Sequence, residues 1–140
     1  MFLIFLIKIV LLIDLSASDF RYLRPYEGLK DSEINSIYQD KDGLMWFATW
    51  SGLISYDGYN FNHYRPELGN PNSLYTKKVK KLFVDSRGNI WIASDQNLSL
   101  YDKKTGRFIN IEFERQNTEV VNILHFSELS DKIVIHALDG

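Results

Sequence analysis

The chain repeats itself. Displaced by 45 positions, the sequence places Ile34 on Val79, Ile37 on Leu82, Asp40 on Asp85, Gly43 on Gly88 and Trp46 on Trp91. The same register continues through Ala48 on Ala93, Leu53 on Leu98, Tyr56 on Tyr101 and Asp57 on Asp102. The second copy then carries two extra residues in a turn, and Phe61 meets Phe108 at a shift of 47. A repeat of this length is one supersecondary unit that cannot bury its hydrophobic face alone, so the copies must stack on one another.

Each unit reads as four short strands. First strands span 34–39 and 79–84 and lead into the turns at 40–43 and 85–88, each opening on aspartate and closing on glycine. Second strands span 44–49 and 90–94, third strands 53–56 and 98–101, and fourth strands 61–64 and 108–111. Short strands with Gly or Asp turns and a period near 45 residues give an all-β fold, a partial β-propeller of four-stranded antiparallel blades. The first blade is expected over 30–64 and the second over 74–112. A third starts at 120–140, with strands at 120–126 and 132–137, but its turn lacks the Asp-x-x-Gly pattern and Val134 replaces the tryptophan. Residues 19–29 hold Phe20-Arg21-Tyr22-Leu23, which matches Phe61-Asn62-His63-Tyr64. That match predicts the outer strand of a closing blade, with an ordinary leader strand as the alternative.

Residues that recur in both complete units have a structural reading before a functional one, because a turn must be copied with the hairpin it closes and a binding site need not be. Asp40 and Asp85 open tight hairpins in which the carboxylate can accept backbone N–H bonds. Gly43 and Gly88 can take the positive φ that closes such loops. Trp46 and Trp91 are expected on faces between blades, with Tyr56 and Tyr101 packed likewise and their hydroxyls in water. Calcium fits this turn poorly, since Arg87 in the second copy stands where Asp42 stands in the first.

Composition narrows the function classes. With 16 basic and 18 acidic residues the chain has no nucleic-acid footprint, and the lysines at 77, 78, 80 and 81 read as the solvated face of a strand. There is no cysteine, so disulfides, thiolate metal sites and a cysteine nucleophile are excluded. His63, His125 and His136 lie on different strands without metal-ligand spacing, and neither a phosphate loop nor a Gly-x-Ser-x-Gly turn is present. No metal, cofactor or catalytic residue is therefore expected. Residues 1–15 are almost wholly apolar and end in Ser16-Ala17-Ser18, which predicts a signal peptide over 1–18, cleavage after Ser18 and export of 19–140. An uncleaved anchor or a buried helix is the alternative. A ligand site is expected on the rim that carries the connections between second and third strands and between blades. Trp50 and Ser51, their counterparts Asp95 and Gln96, and Tyr75 in the 65–75 connection are the candidates. An exposed tryptophan there suits stacking on a sugar or anchoring a partner, and packing against a neighbouring loop is the plainer reading.

Asp40-Lys41-Asp42-Gly43-Leu44-Met45-Trp46-Phe47-Ala48-Thr49, with Gly52-Leu53 and Tyr56-Asp57-Gly58-Tyr59-Asn60-Phe61, resembles the two-component regulator propeller repeat. The second copy resembles it through Asp85, Gly88-Asn89-Ile90-Trp91-Ile92-Ala93, Leu98 and Tyr101-Asp102, and departs at Asn97, where the family favours glycine. The resemblance implies a periplasmic sensor region of a hybrid histidine kinase, with an oligosaccharide ligand and an output on polysaccharide-use genes. It implies as partners the remaining blades and a downstream kinase in the inner membrane, with a homodimer as a further option. An exported propeller lyase or glycosidase, or a protein-interaction scaffold, is the alternative. Two units and part of a third cannot close a ring, so the 140 residues are expected to be a fragment that self-associates or is marginally stable.

Overall fold

The computed structural model describes residues 28–29, 33–95, 97–112, 121–130 and 132–139. The expected signal peptide over 1–18, the strand at 20–23 and Gln96 lie outside the described residues. The described residues contain ten strands. No helix among them is long and apolar enough to cross a membrane.

The first sheet is a meander of β1 (Ile34–Gln39), β2 (Met45–Thr49), β3 (Gly52–Tyr56) and β4 (Phe61–Tyr64). The second repeats it with β5 (Lys81–Val84), β6 (Ile90–Ala93), β7 (Asn97–Asp102) and β8 (Arg107–Glu112). All neighbours in both sheets pair antiparallel. These are the four-stranded units of a propeller. A third sheet is a hairpin of β9 (Val121–Leu129) and β10 (Lys132–Asp139). Its turn is tighter than the sequence pattern predicts. Without the Asp-x-x-Gly signal the strands run on, Val134 pairs with Ser127, and the chain reverses at Ser130, whose φ is +56°.

The aspartate turns of both sheets are built alike. Asp40 Oδ1 accepts the N–H groups of Asp42 and Leu44, both at 3.0 Å, and Asp40 Oδ2 accepts Trp46 Nε1–H at 2.8 Å. In the second sheet Asp85 Oδ1 accepts the N–H groups of Arg87 and Asn89, and Asp85 Oδ2 accepts Trp91 Nε1–H at 3.0 Å. Gly43 and Gly88 close the two turns, both at φ +83°. One carboxylate thus fixes the hairpin and aims the indole six residues on.

Strand alternation sends those indoles to the spaces between sheets. Trp46 is fully buried and meets Tyr64 at 5.8 Å and Tyr101 at 5.4 Å between ring centroids, in a core shared with Val79, Ile90 and Phe108. This core sits between the first and second sheets. Trp91 packs with Ile123 and Phe126 between the second sheet and the hairpin, where Phe83 stacks on Phe126. The opposite face of the first sheet carries Phe47, Ile54 and Tyr56 against Leu29 and Phe61. The tyrosine hydroxyls reach protein groups: Tyr56 donates to the Gly58 carbonyl at 2.6 Å, and Tyr101 to the Tyr64 hydroxyl at 3.5 Å.

Polar links join the sheets at both ends. At one end the Val79 N–H donates to the Thr49 carbonyl at 2.9 Å, and Asn35 Nδ2–H donates to the Val79 carbonyl at 2.8 Å. At the other, Lys41 Nζ donates to the Ser86 carbonyl, and Ser86 donates through N–H and hydroxyl to the Glu128 carboxylate. The two extra residues of the second copy add the Asp102–Arg107 pair to the β7–β8 hairpin and do not lengthen its turn. From that turn Lys103 reaches back to Asp40 at 2.8 Å and Asp42 at 2.5 Å. The connection after β4 lies along the outer strand β8. There Asn72 O accepts Phe108 N–H, and Asn110 Nδ2 donates to the carbonyls of Pro71 and Ser73. Covering an outer strand in this way leaves fewer open backbone groups for stray pairing.

Candidate functional site

The β2–β3 turn, the β6–β7 turn and the connection from β4 to β5 emerge at the same end of the two sheets. Trp50 stands in the β2–β3 turn. Its N–H donates to the Glu33 carbonyl at 3.4 Å, and 37% of the residue remains exposed. Thr49 braces the turn from below: its hydroxyl donates to the Gly52 carbonyl at 2.8 Å and accepts the Ser51 N–H at 3.1 Å.

Gly52 has a specific reason to be glycine. Its φ is +132°, and a Cβ there would lie 2.4 Å from the Tyr64 carbonyl. The end of β4 can therefore press against the turn, which brings Arg65 next to Ser51. Arg65 Nε donates to the Ser51 carbonyl at 3.2 Å. Trp50, Ser51, Arg65, Pro66 and Lys77 line an open cleft of ≈ 440 Å³. Lys78 Nζ lies 5.6 Å from the centroid of the Trp50 ring, at the outer end of cation–π distance.

The other candidates divide. Tyr75, 46% exposed, lines a separate groove between the β4–β5 connection and β8, which shares only Pro66 with the Trp50 cleft. Asp95 holds the position equivalent to Trp50 and forms an ion pair with Lys80. The second copy thus places a neutralised pair where the first places an aromatic ring. Its turn closes through Ser94, whose hydroxyl donates to the Asn97 carbonyl at 3.0 Å and accepts the Asn97 N–H at 3.2 Å.

Arg65, Lys77 and Lys78 complete the cleft. The lysine run was expected on a solvated strand, yet β5 starts only at Lys81, and Lys77 and Lys78 lie in the loop before it. One signal could have found them. Lys77 and Lys78 fall on Ser32 and Glu33 in the repeat register, so the charge changes where a structural position would have been copied. His63, next but one to Arg65, is held below its usual value by burial and then by the Arg65 charge. Among the described residues no group of three or more His, Cys, Asp or Glu could hold a metal ion.

The two-component regulator propeller family matches residues 28–51. Histidine kinase P4 of Formosa agariphila is 41% identical over 46 residues, which is 33% of this chain and 3% of that protein. The extracellular domain of a hybrid two-component system from B. thetaiotaomicron has a TM-score of 0.68 at 24% identity over 82% of this chain. That of a one-component system from the same organism has a TM-score of 0.65 at 18% identity over 84%. The chain spans 17% and 16% of those two structures. Residues 28–51 match the two-component regulator propeller repeat, in a chain that has the fold of propeller blades like those of these two extracellular domains.

Proposed function

We propose that this chain is part of the extracytoplasmic sensor region of a two-component receptor and recognises an oligosaccharide without transforming it. In this reading residues 1–18 direct export and are removed after Ser18. The blades then stand in the periplasm, and a kinase in the inner membrane, outside this chain, carries the signal to polysaccharide-use genes. The observation that carries the ligand reading is Trp50, an exposed indole in a rim cleft whose repeat equivalent is not aromatic. A flat indole stacks on the apolar face of a sugar ring while its rim neighbours supply polar contacts. Ser51 lies in this cleft, Tyr75 supplies an adjoining subsite, and Asp95 and Gln96 stand at the equivalent sequence positions of the second copy.

Two measurements test it. Amino-terminal sequencing of the periplasmic protein should begin at Asp19, and an intact amino terminus would remove the cleavage step. Titration of intrinsic fluorescence with an oligosaccharide panel should give saturable binding that Trp50→Ala weakens by about tenfold or more. Unchanged binding in Trp50→Ala, with an unchanged circular dichroism spectrum, would move the site away from Trp50.

A further inference from the structure

We infer that the Trp50 cleft takes a sugar that carries an anionic group, a carboxylate or a sulfate ester, rather than a neutral one. This rests on the rim around Trp50 being the ligand site. The chain has a net charge of −2, yet Arg65, Lys77 and Lys78 converge on this one ring. Three other cations of the described residues have structural partners: Lys80 pairs with Asp95, Lys103 with Asp40 and Asp42, and Lys41 donates to the Ser86 carbonyl. Among the described residues, neither Arg65, Lys77 nor Lys78 forms an ion pair. Glu33 lies beside the turn through its backbone carbonyl, and its carboxylate pairs with none of the three.

The guanidinium geometry adds direction. Arg65 Nε is committed to the Ser51 carbonyl, which fixes the plane of the group and leaves its two terminal nitrogens for the cleft. Two parallel N–H donors match two oxygens of a carboxylate or sulfate, a geometry that a lysine cannot offer. Lys77 lines the same cleft and Lys78 lies over the indole, so the anion would meet positive charge while its ring meets Trp50. Three like charges around an open cleft repel one another, and an anionic ligand relieves that repulsion.

Isothermal titration of the protein with three oligosaccharides of matched length tests this: cellotetraose, tetragalacturonate and a κ-carrageenan tetrasaccharide. At least one anionic ligand should bind about tenfold or more tightly than cellotetraose, and its affinity should fall between about 0.05 and 0.3 M salt. Arg65→Gln with Lys77→Gln should abolish most of that preference. Both positions are on the surface, and an unchanged circular dichroism spectrum of the double variant separates lost charge from lost folding. Preference for tetragalacturonate assigns a carboxylate and preference for the carrageenan a sulfate. Equal or tighter binding of cellotetraose, sensitive to Trp50→Ala, would overturn the anionic preference and leave the rim site standing. No heat with any of the three would overturn both.

Discussion

At the residue scale, Asp40 shows how much one carboxylate can organise. Two backbone N–H groups, the Trp46 indole and the Lys103 ammonium all donate to it. Burial alone would raise its pKa, and the bonds from Lys103, Trp46 and Leu44 outweigh burial, so the carboxyl is held below 3.8. Asp85 is held down in the same way, against its burial, by Trp91, Asn89 and Arg87. A folded-state value below the unfolded one stabilises the protein above about pH 4, and that contribution disappears as pH falls through the folded values. The melting temperature should therefore decline slightly below about pH 6.5, where His63 protonates more readily unfolded than folded, and fall more steeply below about pH 4. Asp40→Ala should cost about 3 kcal/mol at neutral pH, since it strands the indole and backbone donors, and should flatten the acid limb measured by thermal melts. The turn function of Asp40 was legible in the repeat, because an aspartate three before a glycine opens a hairpin wherever it stands. The bond from carboxylate to indole was not, since no local pattern says that a side chain six residues on will fold back.

At the scale of elements, the β2–β3 turn couples the fold to the rim. Gly43 and Gly52 both sit at positive φ, but open space surrounds the Cβ direction of Gly43, whereas Gly52 faces the Tyr64 carbonyl. Gly43→Ala should cost only the strain of its backbone conformation, about 1 kcal/mol. Gly52→Ala must also displace β4, and Arg65 with it. It should lower the urea midpoint further than Gly43→Ala and weaken oligosaccharide binding, while Gly43→Ala leaves binding unchanged. Equal losses of stability in the two variants would contradict the packing described for β4. The meander of the first two sheets was readable because Trp, Gly and Asp recur in order. The third hairpin departed from its expected turn because the sequence there lacks the punctuation that shortens strands elsewhere. Trp50 was visible as an aromatic that breaks the repeat. Lys77 and Lys78 were read with the strand because four lysines within five positions resemble a solvated face, although they precede both its expected start at 79 and the observed start of β5 at Lys81.

At the scale of the whole molecule, two of the hydrophobic cores are shared between sheets, so neither belongs to one unit alone. Trp46 of the first sheet lies against Tyr101 of the second, and Trp91 of the second against Phe126 of the hairpin. In such arrays the interfaces carry much of the cooperativity. Variants that keep only Trp46 or only Trp91, with phenylalanine at the other two tryptophan positions, should show coincident urea transitions by fluorescence and by circular dichroism. Separated transitions would mean that the sheets unfold as independent units. The longer β7–β8 hairpin has one more consequence, for any attempt to rearrange the gene. Its additional Asp102–Arg107 pair carries Lys103 backward onto the turn of the preceding unit, while the corresponding hairpin of the first copy is one pair shorter. Exchanging the two copies would leave that lysine without its aspartates and those aspartates without their lysine. Two modules that look duplicated are thus not interchangeable, and their order is written in the length of a single hairpin.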